Sequence, residues 1–261
     1  MPYLTRITIY PIKSLDGVDV STARILPSGA IEHDRRFALV DAEGRGVIGK
    51  RTARVHPIRS QFKFSSMSLS LGDDARQYVL GDPSDQHAVL EHLSKALGLP
   101  VTLVEAPDTG FPDDTEAPGP TVIAEATLSA IAGWFPGLDI EGIRRRFRAN
   151  LEVGGVEPFW DDRLYAAKDT VVRFRIGDVE FEGTNPCQRC VVPTRSSTTG
   201  ETIADFAKTF VDRRRATLPP WANADRFDHF YRVAINTRPR VPEGGTIRVG
   251  DPIEILDIVP R

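Results

Sequence analysis

The chain has 261 residues, of which 41% are hydrophobic and 26% charged, a composition typical of globular proteins and long enough for two modest domains. Its net charge of −3 argues against a general polyanion binder, so we expect no nucleic-acid partner. Because no stretch reaches the ~18 apolar residues that span a bilayer, no secretory signal is visible and only two cysteines occur, we expect a cytoplasmic protein with reduced thiols and no membrane partner.

The first hundred residues predict a strand-rich region containing one helix. Runs rich in β-branched and aromatic residues predict strands at 4–10, 37–40, 47–48, 61–71 and 77–80. The turn residues 41–44 join the second and third of these strands as a hairpin. A helix is predicted up to Leu97, with Ser84 and Asp85 as caps and Gly98 as its terminator. Short strands at this spacing are typical of a small barrel or sandwich.

Residues 106–120 differ in composition from the rest of the chain. Four prolines, two glycines and four acids leave almost no apolar face to bury, which predicts a linker or an exposed loop. We therefore place the domain boundary here, between an N-terminal region at 1–105 and a second domain at 121–261.

The second domain is predicted to be mixed α/β and strand-dominated. Strands are expected at 121–124, 150–153, 171–174, 179–181, 233–235, 246–249 and 253–256. Helices are expected at 125–135, 138–146 and about 203–213. Asp161 and Asp162, beside Trp160, could line a site entrance, although the pattern favours a solvated turn.

Cys187-Gln188-Arg189-Cys190 is predicted to occupy a turn that follows a strand. A zinc half-site would need a second ligand pair, but there are no further cysteines and the five histidines are scattered. A redox dithiol would open a helix, whereas an extended segment broken by Pro193 follows here. Two readings stay open: a thiolate ligand for a soft metal, with Arg189 offsetting negative charge, and a pair of buried, inert cysteines.

Two further elements carry anion-binding side chains. Lys13 and Ser14 follow a strand that ends at a proline, which predicts either an oxyanion-binding turn or a surface turn with a solvated lysine. The other element is the arginine-rich segments that include Arg35 and Arg148. Arg148 and Asn150 share one face of a strand start, and guanidinium and amide groups suit a phosphate and a heterocycle edge.

Taken together, these motifs resemble those of the MOSC family, including its members related to the mitochondrial amidoxime-reducing component. The matching segments are Tyr-Pro-Ile-Lys-Ser at 10–14, Asp-Arg-Arg-Phe at 34–37, Arg-Phe-Arg-Ala-Asn at 146–150, Cys-Gln-Arg-Cys at 187–190 and Val-Gly-Asp-Pro-Ile-Glu at 249–254. The resemblance covers essentially the whole chain. It implies an N-terminal β-barrel region followed by a MOSC β-barrel domain with peripheral helices.

The resemblance also implies a ligand, molybdenum cofactor, in which a phosphate-bearing pterin holds molybdenum through its dithiolene. Cys190 would be the metal ligand and the catalytic residue. The cofactor-binding residues implied by the matching positions are Lys13, Ser14, Arg35, Thr127, Arg148, Asn150, Gln188 and Arg189. Thr127 belongs to a strand-to-helix segment at 124–127 whose helix amides could meet the phosphate.

The activity implied is a molybdenum-dependent reduction of N-hydroxylated compounds by oxygen-atom transfer. Because no ferredoxin-type cysteine cluster is present, a separate electron donor, a reductase or a ferredoxin-type protein, is expected. Residues 193–200 depart from the pattern common in the relatives, which leaves the substrate less defined than the cofactor. The alternatives are a sulfur carrier that handles persulfide and a non-catalytic cofactor carrier.

Overall fold

The computed structural model describes residues 1–240 and 243–261 and confirms a mixed α/β, strand-dominated fold. The strands of the N-terminal part are β1 (Tyr3–Ile9), β2 (Val18–Val20), β3 (Thr22–Ile25), β4 (Phe37–Val40), β5 (Ser60–Lys63), β6 (Ser68–Leu71), β7 (Tyr78–Val79) and β8 (Thr102–Glu105). Those of the second part are β9 (Val122–Ala124), β10 (Leu151–Gly154), β11 (Thr170–Ile176), β12 (Val179–Gln188), β13 (Arg232–Pro239), β14 (Gly245–Arg248) and β15 (Ile253–Pro260). The α-helices are α1 (Pro83–Leu97), α2 (Glu125–Ala132), α3 (Ile140–Phe147) and α4 (Phe206–Ala216).

The central feature is a sheet with strand order β15–β11–β12–β13–β9–β10–β1–β2. Adjacent strands within this sheet run antiparallel, except β9 and β10, which run parallel to each other. A bridge between Tyr3 and Pro252 brings β1 next to the start of β15, and the Leu4 N–H donates to the Asp251 carbonyl at 2.9 Å. The sheet therefore curls back on itself in the manner of a barrel, and N-terminal strands contribute to it.

The strands fold around an apolar core because their β-branched and aromatic residues point inward. β11 and β12 form a hairpin with a two-residue turn, in which Gly177 adopts φ +56° as such a turn requires. Phe174 and Phe181 lie opposite each other across this pair, both 0% exposed, with their rings 5.5 Å apart. Each buried phenylalanine stabilises the fold by roughly 1.5–3 kcal/mol through apolar burial.

The N-terminal part adds two small sheets, β4–β8 and β5–β6–β7, and a second core. The predicted hairpin after β4 is present as a turn, in which the Val47 N–H donates to the Leu39 carbonyl at 2.8 Å. The strand that pairs along β4, however, is β8, with Phe37 opposite Glu105. Sequence spacing favours pairing of β4 with the nearby segment 47–48. The distant strand β8 pairs with it instead, because this arrangement buries the inner face of β4 in one core with α1 and β6.

Helix α1 begins earlier than predicted, with its N-cap two residues before Ser84, the first of the predicted caps. Pro83 is its first residue, and Asp82 is the N-cap, whose carboxylate accepts the N–H groups of Ser84 and Asp85 at 2.9 and 3.1 Å. Gly98 ends the helix at φ +71°, as predicted. Among the described residues no helix is long and apolar enough to cross a membrane.

Strand β12 is longer than predicted, and this changes where the cysteines lie. The segment expected to be a turn continues the strand to Gln188, with Pro186 opposite Ile235 of β13. Register shifts on both sides of Pro186 accommodate the missing N–H of the proline, so the strand bends without ending. Cys187 therefore lies on the strand, and Cys190 lies just beyond it.

Gly183 of β12 packs directly against the backbone of the 3₁₀ helix Trp160–Leu164. A Cβ atom at this position would lie 1.7 Å from the Leu164 carbonyl oxygen, which cannot move like a side chain. Gly183→Ala is therefore expected to lower the free energy of unfolding by at least about 1–3 kcal/mol, the usual cost of overpacking a core. Chemical denaturation measures this, and Gly81→Ala is the matched control, because a Cβ atom there meets nothing within 4 Å and its backbone is not left-handed; equal losses in both variants would contradict the packing argument.

Candidate functional site

A cavity of about 1160 Å³ opens where the N-terminal part meets the second part of the chain. Its walls come from the ends of β1, α3 and β12, together with the loops that carry residues 13–17, 48–61 and 109–119. Eight of the nine residues expected from the sequence line it: Lys13, Ser14, Arg35, Arg148, Asn150, Gln188, Arg189 and Cys190. Segments far apart in the sequence thus converge on one site.

The cavity carries a positive charge although the whole chain is slightly acidic. Its acidic lining residues are Asp16, Asp19, Asp34, Asp73, Asp113, Asp114, Glu116 and Glu141. The more numerous basic ones are Arg6, Lys13, Arg35, Lys50, Arg59, Arg144, Arg145, Arg146, Arg148, Arg189, Arg195 and Arg232. This local excess of cations attracts an anionic ligand, whatever the net charge of the chain.

The two cysteines are partly exposed and face this cavity. The Cys187 sulfur accepts a hydrogen bond from Arg189 Nη1 at 3.4 Å. The Cys190 sulfur accepts the backbone N–H of Val192 at 3.5 Å. Arg189 is itself held by its N–H, which donates to the Tyr231 carbonyl at 3.0 Å. Each sulfur therefore has an N–H donor beside it and a route to the cavity.

The C-terminus of α3 delivers two further guanidinium groups. Arg148 is the C-cap at φ +53°; its guanidinium stacks 4.1 Å from the Tyr10 ring centroid and donates to the Leu15 carbonyl at 2.7 Å. Arg146 donates to the Pro193 carbonyl at 2.9 Å. Burial lowers the pKa of both guanidinium groups, since a cation loses hydration inside the protein.

Asn150 lies in the cavity wall but is held by the protein itself. Its amide nitrogen donates to the Thr8 carbonyl and to the Asp34 carboxylate, both at 3.1 Å. Its amide oxygen accepts from Arg35 and from the Thr121 N–H, both at 3.3 Å. The geometry makes Asn150 a positioning residue that fixes Arg35 relative to β1 and β9.

The remaining predicted residues line the same cavity but differ in how firmly the protein holds their side chains. Lys13 is bound through its ammonium group, which donates to the Phe111 carbonyl at 2.9 Å. The Ser14 hydroxyl accepts the Gly49 N–H at 3.1 Å, so it shapes the loop across from it. Gln188 is exposed at the end of β12.

Thr127 is the predicted residue that the structure does not bring to the cavity. It is 0% exposed; its hydroxyl donates to Asp161 at 2.6 Å and accepts the Phe159 N–H at 2.6 Å. Asp161 also accepts the Ala124 N–H at 3.0 Å, at the start of α2. The helix N-terminus expected to meet a phosphate is therefore occupied by the protein's own carboxylate.

Asp161 and Asp162 lie neither at an entrance nor in a solvated turn. Both are buried in the 3₁₀ helix Trp160–Leu164, at 0% and 1% exposure. Asp162 accepts two hydrogen bonds from the buried Arg214, each at 2.6 Å. The expectation was wrong because the compensating cation comes from α4, too far along the chain for the local pattern to show it.

Asp161 gives the fold a pH dependence that can be measured. Burial, reinforced by the neighbouring Asp162, raises the pKa of Asp161 from 3.8 to about 6. The folded state then binds more protons than the unfolded state between these values, so this group lowers stability as pH rises through about 4 to 6. Asp161→Asn, which keeps the oxygen that accepts from Thr127, should remove this decline.

The measurement is the free energy of unfolding by urea at several pH values from 4.5 to 7, as ~0.5-unit steps, for the parent protein and the variant. The difference between the two, rather than either curve, isolates Asp161 from all other titrating groups. A difference that stays constant across this range would show that Asp161 is ionised in the folded state throughout.

Three cavity residues carried no signal in the sequence: His56, Arg59 and Arg195. Arg195 donates to the Gly49 carbonyl at 2.6 Å, and Arg59 donates to the Ser197 carbonyl at 2.8 Å. These bonds fasten the segment after the cysteines to the N-terminal part. Single histidines and arginines have no diagnostic spacing, so only the fold reveals their position.

The cavity wall fits a ligand rich in oxygen and negative charge. Buried donor or ring nitrogens of four lining residues have no partner within the described part of the chain: His56 Nε2, Arg59 Nε, Arg146 Nε and Arg189 Nε. Buried polar atoms are normally hydrogen-bonded, so unpaired donors that line a cavity indicate a ligand. The pterin, phosphate and thiolate-bound metal of molybdenum cofactor match this combination of N–H donors, cations and cysteine sulfur.

The strand-dominated α/β fold encloses a cationic cavity that is lined by both cysteines. Sequence models identify the family: that of the MOSC N-terminal beta barrel domain matches residues 1–97, and that of the MOSC domain matches residues 122–254. The chain therefore belongs to the MOSC domain family. The division of the chain at 106–120 stays a prediction, because strands from both sides share one sheet.

The chain also resembles curated proteins whose names refer to molybdenum cofactor, at low sequence identity. The chain is 23% identical over 260 residues to molybdenum cofactor sulfurase 2 of Culex quinquefasciatus, covering 82% of this chain and 33% of that protein. It is 27% identical over 232 residues to molybdenum cofactor sulfurase of Drosophila mojavensis, covering 77% and 29%. The Drosophila grimshawi protein of the same name is 25% identical over 289 residues, covering 98% and 35%. The chain thus spans about a third of the length of these relatives.

Proposed function

We propose that the protein binds molybdenum cofactor in the cationic cavity and acts as an oxidoreductase on N-hydroxylated compounds. The observation that carries this proposal is the set of guanidinium groups around the cysteines, which have carbonyl partners and no carboxylate within the described residues: Arg146, Arg148, Arg189 and Arg195. Arg146 is buried and the other three are half-buried. Removing a cation from water without a counter-ion is costly to the folded protein, and an anionic ligand offsets that cost.

Cys190 is the proposed protein ligand of the metal. A thiolate is a soft ligand, and the cysteine lies in the first turn after β12, on the cavity wall. The Val192 N–H at 3.5 Å from its sulfur would remain as a donor to the bound thiolate and tune its electron density. Cys187 is engaged by Arg189, which supports a different role for that thiol.

The anionic parts of the cofactor are proposed to contact the cations around the cavity. Arg148 and Arg35 lie against the Tyr10 ring, at 4.1 and 5.5 Å from its centroid, which holds the two guanidinium planes in place. Asn150 keeps Arg35 oriented, and Lys13 provides an ammonium group on the same cavity wall as Asp113. Preorganised donors of this kind bind an anion without first having to become ordered.

When bound, molybdenum cofactor supplies oxygen-atom transfer, so that an N–OH group becomes N–H and water at the expense of two electrons and two protons. The chain contributes binding, orientation and exclusion of water from the site. A cavity of about 1160 Å³ is larger than the roughly 300–1,000 Å³ of most ligand pockets and leaves room for a small substrate beside a pterin. The electrons are proposed to come from a separate reductase or ferredoxin-type protein.

A sulfur-carrying function is the second candidate. It is favoured by the names of the curated relatives, which are molybdenum cofactor sulfurases, and by two partly exposed thiols on one cavity wall. In that case Cys190 would receive a sulfane sulfur from the persulfide of a desulfurase, which regains its thiol. A third function, storage or transfer of the cofactor without turnover, uses the same cavity.

One experiment separates these functions: molybdenum and pterin quantitation on protein made in a cofactor-competent host, followed by reduction of benzamidoxime with a chemical electron donor. Stoichiometric molybdenum with turnover supports the oxidoreductase. Stoichiometric molybdenum without turnover of benzamidoxime or hydroxylaminopurine supports the carrier. Molybdenum-free protein whose Cys190 accepts persulfide sulfur overturns the proposal in favour of sulfur transfer.

A further inference from the structure

The segment predicted as a linker forms one wall of the cavity, and we call residues 111–116 the acidic strap. Its start is fixed because the Phe111 N–H donates to the Arg35 carbonyl at 2.9 Å. Its second half is fixed by Asn236, whose amide nitrogen donates to the Asp114 carboxylate at 3.1 Å. Between these two anchors lies Asp113, which lines the cavity.

Asp113 is paired with two cations of the cavity. Its carboxylate lies 3.1 Å from the Lys13 ammonium nitrogen and 3.6 Å from that of Lys50. Lys13 also donates to the carbonyls of Phe111 and Pro112, so its three N–H donors are all used by the strap. These two lysines, with Arg35, lower the pKa of the Asp113 carboxyl to about 2.

The lysines of the cavity therefore differ in their partners from the arginines around the cysteines. Around the cysteines the guanidinium groups have neutral carbonyl partners, whereas Lys13 and Lys50 face a carboxylate. An incoming anion can bind the guanidinium groups directly, but at Lys13 it must replace an existing partner. The Asp113 side chain is 53% exposed, so it can turn into solvent without unpacking the core.

We propose that Asp113 is an internal competitor for the anion site: its carboxylate occupies the position at Lys13 and Lys50 that an anionic group of the ligand takes, and it withdraws when that ligand binds. The strap thus sets a threshold for occupancy, because a ligand must outcompete a carboxylate held at high local concentration. The identity of the natural ligand rests on the proposed function. The competition itself does not require molybdenum, and inorganic pyrophosphate can probe it.

Titration calorimetry of the metal-free 261-residue chain with pyrophosphate tests the competition directly. Asp113→Asn keeps the shape of the side chain and removes its charge, and we expect pyrophosphate to bind about tenfold more tightly, as expected when one charged hydrogen bond no longer has to be replaced. Glu116→Gln is the matched control: it makes the same charge change on the same strap and cavity wall, but Glu116 pairs with Arg261 and not with a cation that lines the cavity. Its affinity should change less than about threefold, the effect of a screened charge.

A double-mutant cycle identifies the site of competition. In a Lys13→Met background, the gain caused by Asp113→Asn should fall to the size of the Glu116→Gln effect, because the contested partner has been removed. Thermal unfolding of each variant verifies that it is folded.

The inference is overturned if Asp113→Asn weakens pyrophosphate binding, if it matches Glu116→Gln, or if its effect is the same with and without Lys13. Absence of pyrophosphate binding in every variant also overturns it. None of these outcomes decides the proposed function, which molybdenum content of protein from a cofactor-competent host measures separately.

Discussion

Cys190→Ser is expected to abolish molybdenum retention, whereas Cys187→Ser should keep at least about half of it. A serine hydroxyl is a harder and far less acidic ligand than a thiol, so it does not replace a thiolate on a soft metal. The structure adds that the sulfur of Cys187 is engaged by the Arg189 guanidinium, while that of Cys190 faces a backbone N–H.

The two serine variants are each other's control, since both remove one partly exposed thiol from the same wall. Molybdenum by elemental analysis and pterin by fluorescence of its oxidised form, each per mole of protein, give the result, with thermal unfolding to verify folding. If both variants keep stoichiometric molybdenum, the proposed ligand is wrong; if Cys187→Ser alone loses the metal, the assignment within the pair is reversed.

The strand-rich fold could be predicted because its signals are local. Period-two alternation and turn residues identify β5, β6 and the β11–β12 region. Gly98 correctly places the C-terminal end of α1, whereas the N-cap lies two residues before the first predicted cap. Partner choice is not local. β4 pairs with β8 because of what its inner face buries, and no spacing in the sequence contains that information.

The candidate site could be predicted in its chemistry more than in its contacts. The motifs identify which residue types converge, and the structure brings eight of them to one cavity. The role of each residue depends on neighbours from other segments. The Asn150 amide is hydrogen-bonded within the protein, and the Lys13 ammonium is paired with the acidic strap. The resemblance placed Thr127 at an anion site in the first turn of α2, but a carboxylate from the distant Asp161 already fills that position.

The buried carboxylates of Asp161 and Asp162 show why buried charge is the hardest feature to predict from a sequence. Two adjacent aspartates predict a solvated turn, since an unpaired buried carboxylate is costly. The fold reverses that expectation by supplying one arginine from α4, and the residues of the resulting cluster do not line the cavity. The charges that stabilise the fold and those proposed to bind a ligand are therefore separate groups, which mutation can test one at a time.

Arg214→Met is expected to lower the free energy of unfolding by about 3–5 kcal/mol, the cost of leaving one partner of a buried ion pair without the other. Arg214 is 0% exposed, and its guanidinium also lies 4.5 Å from the Phe159 ring centroid and 5.0 Å from that of Phe227. Methionine fills much of the same volume, so the loss reports the stranded charge of Asp162 more than a void. Urea denaturation measures it, and the melting temperature should fall by on the order of 10 °C.

The neighbouring Arg213 provides the matched control, because it is exposed on the same helix and Arg213→Met should change stability by less than about 0.5 kcal/mol. Combining Arg214→Met with Asp162→Leu should recover much of the loss, since a buried pair replaced on both sides by apolar groups is often neutral. A double variant no more stable than Arg214→Met would mean that packing around the guanidinium, and not the stranded carboxylate, holds this part of the fold together.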